Sequence, residues 1–290
     1  MDTNYEELAY LQLIKTVIET GEEKSDRTGV GTVSLFSCSL DFNLTDGFPL
    51  LTTKKMAWKS VLRELIWFIS GSTDAKVLQK QNVHIWDGNT SKEFIQKNKL
   101  NLKEGDIGPL YSFQWRHFGA EYIDCDTDYT NQGIDQIKYV EDELKNNPTS
   151  RRILFSAWNP IDIKKSVLPP CHIMAQFYVR SNKYLDIQVY SRSIDMILGC
   201  PFNIASYACM TYMWAKVLNL EPGKMKYTFG DTHVYKNHIT GAKEQIVRVP
   251  YKFPKLNIKR KVNSIFEYVE DDFEIIEYSS HPSIKFKMAI

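Results

Sequence analysis

The chain lacks the features of a membrane-spanning, disulfide-stapled or polyanion-binding protein. No apolar run in its 290 residues approaches the ~18 residues that a membrane span requires. Its five cysteines are scattered, include no C-x-x-C pair, and so supply neither a disulfide framework nor a zinc-binding spacing. The 36 Lys and Arg against 35 Asp and Glu leave a formal net charge of +1, which argues against a general nucleic-acid-binding surface. We therefore expect a soluble, intracellular protein without a structural metal.

The chain also lacks a complete glycine-rich nucleotide loop. The segment K-S-D-R-T-G-V-G-T contains Gly29 and Gly31 but neither the third glycine nor the preceding strand of the dinucleotide fingerprint. Arg27 in this loop could clamp a phosphate oxygen, although a single loop arginine is more often solvated. The length fits one domain, residues 1–290, with a core large enough to need no disulfides.

Hydrophobic periodicity predicts a chain that mixes helices and strands. The predicted helices are 5–20, 56–70, 133–144 and 203–218, and the predicted strands are 36–42, 153–157, 174–180, 184–190 and 225–231. The apolar face of the first helix is predicted from Leu8, Leu11, Ile14 and Ile18, and that of the first strand from Phe36, Cys38, Leu40 and Phe42. Residues 108–122 fit no period, and we interpret them as a loop that lines a site or an interface.

The stretch V-L-P-P-C-H-I-M-A-Q places a cysteine at a rigid strand entrance, because Pro169 and Pro170 fix φ and cannot donate to a ladder. A free cysteine is usually a small buried hydrophobe, which is the alternative for Cys171. The strands 174–180 and 184–190 flank a short polar turn and predict a hairpin that places Cys171 beside Arg192. A guanidinium lowers the pKa of a nearby thiol, so this pairing favours a catalytic nucleophile.

Other charged residues allow two interpretations each. Glu64 lies within the apolar stretch of helix 56–70, either as an edge residue paired with Arg63 or Lys59, or as a poorly solvated carboxyl whose raised pKa suits acid–base work. Arg151 and Arg152 precede a strand, where tandem arginines are usually solvated but can also form a forked phosphate clamp.

Ordered motifs along nearly the whole chain resemble those of the thymidylate synthases. They are R-T-G-V-G-T, L-L-T-T-K-K, R-E-L-I-W-F, H-I-W-D-G-N, Y-S-F-Q-W-R-H-F-G-A-E-Y, D-Q-I, R-R-I-L-F-S-A-W-N-P, L-P-P-C-H, R-S-I-D, L-G-C-P-F-N, G-D-T-H-V-Y-K-N-H and K-M-A-I. The resemblance implies an α/β homodimer in which large, mostly antiparallel sheets flanked by helices pack back to back. It also implies that Cys171 adds to C6 of dUMP, that 5,10-methylenetetrahydrofolate supplies the one-carbon unit and a hydride, and that dTMP and dihydrofolate are released without a metal.

The resemblance carries residue roles onto matching positions. Catalytic roles would fall to Cys171, Glu64, Tyr111, Arg192, Asp195 and His172. The dUMP site would comprise Arg27, Arg192, Ser193, Asp195, Asn203, His233 and Tyr235, with Arg151 and Arg152 supplied by the other protomer. The folate would contact Trp86, Asn89, Asp195, Leu198, Gly199, Phe202 and Ala289.

Three positions depart from the usual pattern of the family. Ser191 stands where glutamine is usual, Ser112 where glycine is usual, and Ile290 where valine is usual. The alternatives are a pyrimidine hydroxymethylase, which acts on dCMP and has aspartate where Asn203 stands, and a non-catalytic nucleotide- or RNA-binding scaffold. We expect a cytoplasmic protein, with nuclear or mitochondrial pools also compatible. Because the sequence begins with Met1, we expect no fusion to dihydrofolate reductase.

Overall fold

A six-stranded sheet organises the fold in a computed structural model that describes residues 3–288. Its strands are β1 (Glu22–Lys24), β2 (Thr32–Asn43), β3 (Leu154–Ser156), β4 (His172–Arg180), β5 (Tyr184–Asp195) and β6 (Glu221–Tyr235). They lie in the order β1-β2-β6-β5-β4-β3, and every adjacent pair is antiparallel except the parallel β5 and β6. A small antiparallel sheet joins β7 (Lys255–Ile258) and β8 (Phe273–Ile276). The predicted α/β class with a mostly antiparallel sheet is confirmed.

Helices cover one face of the large sheet. They are α1 (Tyr5–Thr20), α2 (Trp58–Ser70), α3 (Lys76–Gln79), α4 (Asp87–Thr90), α5 (Lys92–Lys97), α6 (Tyr111–His117), α7 (Gln136–Asn146), α8 (Gly199–Leu218) and α9 (Ile239–Ile246). The largely buried α8 packs on β5 and β6, and α1 packs on β2. On the other face, Tyr178, Gln188 and Lys226 are exposed and line an open depression of about 760 Å³.

The first helix begins and ends as predicted, but its buried face is rotated. Tyr10, Leu11, Ile14 and Val17 are buried, whereas the predicted Leu8 is exposed. The Tyr10 hydroxyl donates to the Met196 carbonyl at 2.6 Å, which gives this polar tip a buried partner. The Tyr10 ring therefore lies in the core, whereas Leu8, which the spacing of aliphatic residues assigned to the core, is exposed.

The predicted alternation along β2 is wrong at Phe36, which is 79% exposed although Leu40 and Phe42 are buried. Between them, Ser37 has a φ of 66°, so the side-chain direction changes there. The pairing of β2 with β6 skips Ser37 and Gly230, and that of β6 with β5 skips Gly230 and Arg192. A line of irregular backbone thus crosses three strands and ends beside the candidate nucleophile.

The hairpin is confirmed, with Arg180 opposite Tyr184 and Ala175 opposite Val189. Its turn includes Asn182 in the left-handed region, at a φ of 51°. The segment that we interpreted as a loop contains α6, and this correction has a physical reason. Residues 111–115 are all buried, so no polar side of the helix produces a period.

Candidate active site

Cys171 lies at the entrance to β4 and is held by its backbone. Its N–H donates to the Tyr111 hydroxyl at 2.7 Å, and its carbonyl accepts from the Arg192 N–H at 2.9 Å. The Arg192 side chain donates to the carbonyls of Pro169 and Pro170 at 2.9 and 2.7 Å. These bonds fix the guanidinium, and its Nη2 lies 3.8 Å from the Cys171 sulfur. The two prolines therefore position both groups.

The ionisation of Cys171 corrects a simple expectation from the sequence. Burial raises the pKa of the Cys171 thiol, and this effect outweighs the guanidiniums of Arg192 and Arg27, which lower it. Burial therefore favours the neutral thiol, whereas Arg192 favours the thiolate as its position predicts.

Aromatic residues pack next to Cys171. The rings of Tyr111 and His172 stack with centroids 3.9 Å apart, and Nδ1 of His172 lies 2.7 Å from the Tyr207 hydroxyl. Burial lowers the pKa of His172 to about 3, so its imidazole is neutral near pH 7. A neutral ring in this place can orient Tyr111 but carries no charge to the thiol.

The environment of Glu64 agrees with the interpretation of this residue as a poorly solvated carboxyl with a raised pKa. Its carboxylate is buried and accepts a hydrogen bond of 2.9 Å from Nε1 of Trp86. Burial raises the pKa of Glu64 to about 7. Near that residue, Nδ2 of the buried Asn89 has no hydrogen-bond partner among residues 3–288. An orphaned buried amide beside a half-buried tryptophan ring fits a flat, polar-edged ligand such as a reduced folate.

The far ends of β5 and β6 bring together the residues predicted for the sugar. Asp195 lies opposite His233, whose Nδ1 is 2.9 Å from the Asp231 carboxylate. Burial and the charge of Asp195 raise the pKa of Tyr235 to about 12, whereas Arg27 lowers it. Since Arg27 acts electrostatically on both Tyr235 and Cys171, its loop lies over the same edge of the sheet.

The first turns of α8 complete this side of the site. Leu198 precedes the helix, and Gly199, Phe202 and Asn203 lie within it, each half-buried. Ser193 lies next to Arg192 on β5, opposite Asp231. Tyr111 and Arg192 contact Cys171, and Asp195, His233 and Tyr235 lie at the ends of β5 and β6. Three predicted residues are exceptions to this grouping.

The exceptions are Arg151, Arg152 and Ala289. Both arginines are exposed, and the Arg151 carbonyl accepts from Nε2 of Gln176, five residues beyond Cys171. At ~3.3 Å per residue, Gln176 lies about 17 Å along β4 from Cys171, so Arg151, which its side chain bonds, is remote from the thiol of its own chain. Ala289 lies outside the described residues, as does the departure at Ile290.

Lys54 is a site residue that sequence reasoning missed. Its buried Nζ donates to the Ile197 carbonyl and lies 5.2 Å from the centre of the Phe286 ring. Burial lowers the pKa of Lys54 to about 8, against the opposing charge of Asp195. The motif L-L-T-T-K-K contains it, but nothing in that pattern shows which lysine points inward.

Residues 3–288 contain no group of three or more His, Cys, Asp or Glu side chains arranged to hold a metal ion. No helix within that range is long and apolar enough to cross a bilayer.

Comparison with known proteins agrees with the site geometry, since the family model for thymidylate synthase matches residues 8–290. The chain belongs to the thymidylate synthase family. It is 54% identical to a thymidylate synthase of Saccharomyces cerevisiae, over 99% of this chain and 98% of the relative. It is 50% identical to that of Human herpesvirus 8, over 100% and 86%. It is 52% identical to a bifunctional dihydrofolate reductase-thymidylate synthase of Zea mays, covering 99% of this chain but 55% of the relative.

Proposed function

We propose that this chain is a thymidylate synthase, which methylates dUMP at C5 with 5,10-methylenetetrahydrofolate and releases dTMP and dihydrofolate. The observation that carries the proposal is the fixed pair of the Cys171 sulfur and the Arg192 guanidinium, 3.8 Å apart.

Cys171 acts as the nucleophile in a covalent step. Its sulfur bonds to C6 of the uracil ring, the electrons of the C5=C6 bond move toward the O4 carbonyl, and C5 becomes a carbon nucleophile. C5 bonds to the methylene carbon that the folate supplies. Loss of the C5 proton then breaks the bond between that carbon and the folate nitrogen, which releases tetrahydrofolate and leaves an exocyclic methylene on the ring. Hydride transfer from tetrahydrofolate turns the methylene into the methyl group and yields dihydrofolate, and the S–C6 bond breaks as the C5=C6 bond reforms, which returns the thiolate. Arg192 stabilises the thiolate at the start and the end of this cycle.

Glu64 and Asn203 interact with the uracil ring of dUMP. With a pKa of about 7, the Glu64 carboxyl can both release and accept a proton near neutral pH, and water can connect it to the developing oxyanion at O4. The Asn203 amide can accept from N3–H and donate to O4, which matches uracil and not cytosine. Tyr111 and His172 orient the nucleophile.

The substrates occupy opposite sides of the thiol. Arg27, Arg192 and Ser193 bind the dUMP phosphate, and His233 and Tyr235 bind the ribose hydroxyl. The folate lies against Trp86, Asn89, Asp195, Leu198, Gly199 and Phe202, and Ala289 also belongs to its predicted site.

The protein acts as a homodimer with shared sites. The exposed sheet face with Tyr178, Gln188 and Lys226 is the surface that a second copy covers. Because Arg151 and Arg152 are remote from the thiol of their own chain, they serve the phosphate bound by the other protomer. The five free cysteines suit the reducing cytoplasm, where we place the enzyme.

A spectrophotometric assay of dihydrofolate formation tests the activity, with dUMP as substrate and dCMP as control. We expect turnover with dUMP alone. Asn203→Asp should lower kcat/KM for dUMP and raise use of dCMP, because a protonated carboxyl can donate to N3 and accept from the amino group of cytosine. A mismatched buried pair corresponds to a change of about 5- to 150-fold in this preference. No dihydrofolate from dUMP, or a preference that moves less than about threefold, would contradict the assignment.

A further inference from the structure

One buried histidine holds the C-terminal tail, residues 277–290, beside the candidate site. His238 directly precedes α9, is 1% exposed, and its Nε2 lies 2.7 Å from the carbonyl oxygen of Lys287. A carbonyl oxygen can only accept a hydrogen bond, so Nε2 carries the hydrogen in this contact. Nδ1 of the same ring has no hydrogen-bond partner within residues 3–288. In that range, the bond to Lys287 is therefore the only hydrogen bond that the buried His238 ring makes.

The residue before Lys287 fits a notch in α9. The Phe286 ring meets the His238 ring edge to face, with centroids 5.2 Å apart, and its centre lies 5.2 Å from Nζ of Lys54. A Cβ atom added at Gly241 would lie 2.6 Å from Cε1 of Phe286 and 3.1 Å from Cγ2 of Ile284. Gly241 lies within α9, where glycine is less favourable than alanine. Its missing side chain therefore makes room for the tail at a cost to the helix.

The contacts of the tail connect it to residues of the candidate site. The His238 ring also lies edge to face against the Tyr235 ring, with centroids 5.6 Å apart. Lys54 is the buried lysine that lies beside the site. Lys287 is two residues before Ala289, which we assign to the folate, and two residues span at most about 7 Å. Holding the Lys287 carbonyl therefore limits where Ala289 can reach.

We propose that His238 is a positioning residue that anchors the tail next to the folate, with Gly241 as the notch that receives Phe286. If only the anchored tail contacts the folate, loss of the anchor makes that form a smaller fraction of the molecules, and the apparent affinity falls by that fraction. Bound folate draws the tail back to its anchored position, so the KM for folate rises more than kcat falls. This inference rests on the proposed function, since it assigns Ala289 to the folate.

The experiment separates the hydrogen bond, the ring and the notch. His238→Phe keeps a ring without its N–H, His238→Gln keeps an N–H donor without the ring, and Gly241→Ala fills the notch. His117→Phe is the control, because it removes a histidine whose Nδ1 lies 3.2 Å from the Gln132 carbonyl, remote from the tail in sequence. For each protein we measure KM and kcat with 5,10-methylenetetrahydrofolate, the dissociation constant of dUMP and the unfolding temperature. Intact mass follows the rate at which a carboxypeptidase removes Lys287 from the folded protein.

We expect His238→Phe to raise the KM for folate about 3- to 10-fold, the range of one lost hydrogen bond, and to speed removal of Lys287. The dUMP dissociation constant should stay within about twofold of wild type, and His238→Gln should recover part of the loss. Gly241→Ala should change KM and Lys287 removal in the same direction while keeping or raising the unfolding temperature, because alanine favours the helix. A merely structural role would not combine a stable fold with a freed tail.

Folate KM values and Lys287 removal rates that match wild type in both His238→Phe and Gly241→Ala would overturn the anchor. Equal effects in His117→Phe would overturn it as well. Absence of dUMP turnover in the wild type would instead refute the proposed function, and the rates of Lys287 removal would still decide whether His238 anchors the tail.

Discussion

Three buried ionisable residues around Cys171 are shifted toward their neutral forms. The pKa of Glu64 is raised to about 7, that of His172 is lowered to about 3, and that of Lys54 is lowered to about 8. Burial is the largest cause in each case, since a charge removed from water is costly. Glu64 and Lys54 can therefore exchange protons near pH 7, as a reaction that moves protons on and off a ring requires, whereas His172 stays neutral there.

The shift at Glu64 predicts a pH-dependent stability. Its folded pKa of about 7 exceeds its usual 4.5, so the folded state keeps the proton longer and stability falls as pH rises between these values. The total is on the order of 3 kcal/mol. We expect Glu64→Gln to remove this fall from the free energy of unfolding, measured by urea at about pH 5 and about pH 8. Glu274→Gln, which changes an exposed glutamate, is the control. Parallel pH curves for wild type and Glu64→Gln would contradict the buried-acid account.

For single residues, the sequence predicts which side chains lie together better than it predicts the pKa values that result. The neighbourhood of Cys171 and Arg192 follows from one hairpin, which is a local pairing. The net direction of the thiol pKa does not follow, because it depends on how much of the whole fold covers the sulfur. The sequence also does not predict that the buried Ser191 and Tyr227 hydroxyl oxygens lie 2.7 Å apart, because this contact depends on the parallel pairing of β5 and β6, which are joined through the long helix α8.

Among the elements, the irregular line across β2, β6 and β5 positions Arg192. A Cβ atom added at Gly230 would lie 2.5 Å from the Arg192 carbonyl oxygen, too close for either strand to remain in place. The absence of a side chain there lets β6 approach β5 where the arginine turns toward the thiol. No local pattern in the sequence predicts this line, because it arises from the register of three strands far apart in the chain.

Gly230→Ala should therefore weaken the site as well as the fold. We expect a loss of about 1 to 3 kcal/mol in unfolding free energy, because the clash is with backbone and not with a flexible side chain. We also expect weaker dUMP binding, measured by titration under conditions in which the variant is folded. Thr228→Ala on the same strand is the control and should leave dUMP affinity close to that of wild type. Equal affinities in wild type and Gly230→Ala would mean that the line does not position Arg192.

For the whole molecule, the arrangement of arginines predicts dependence on a second copy. The Arg151 carbonyl accepts from Gln176, which lies about 17 Å along β4 from Cys171 of the same chain. If it serves the other protomer, mixing Arg151→Glu with Cys171→Ser yields dimers in which one site carries neither change. We expect activity to return in the mixture after subunit exchange, although each parent is nearly inactive. Exchange confirmed by mass without any return of activity would show that each site is built from one chain.

During methyl transfer, we expect Cys171 to form a covalent bond to C6 of a uracil nucleotide. A dUMP analogue with fluorine at C5 cannot release that substituent as a proton, so the reaction should stop with nucleotide and folate both attached to the protein. The measurement is the intact mass of the denatured protein after incubation with this analogue and 5,10-methylenetetrahydrofolate, followed by peptide mapping. We predict a mass increase equal to both ligands, located on Cys171 and absent from Cys171→Ser. An unchanged mass in an enzyme that turns over dUMP, or an adduct on another residue, would contradict the account.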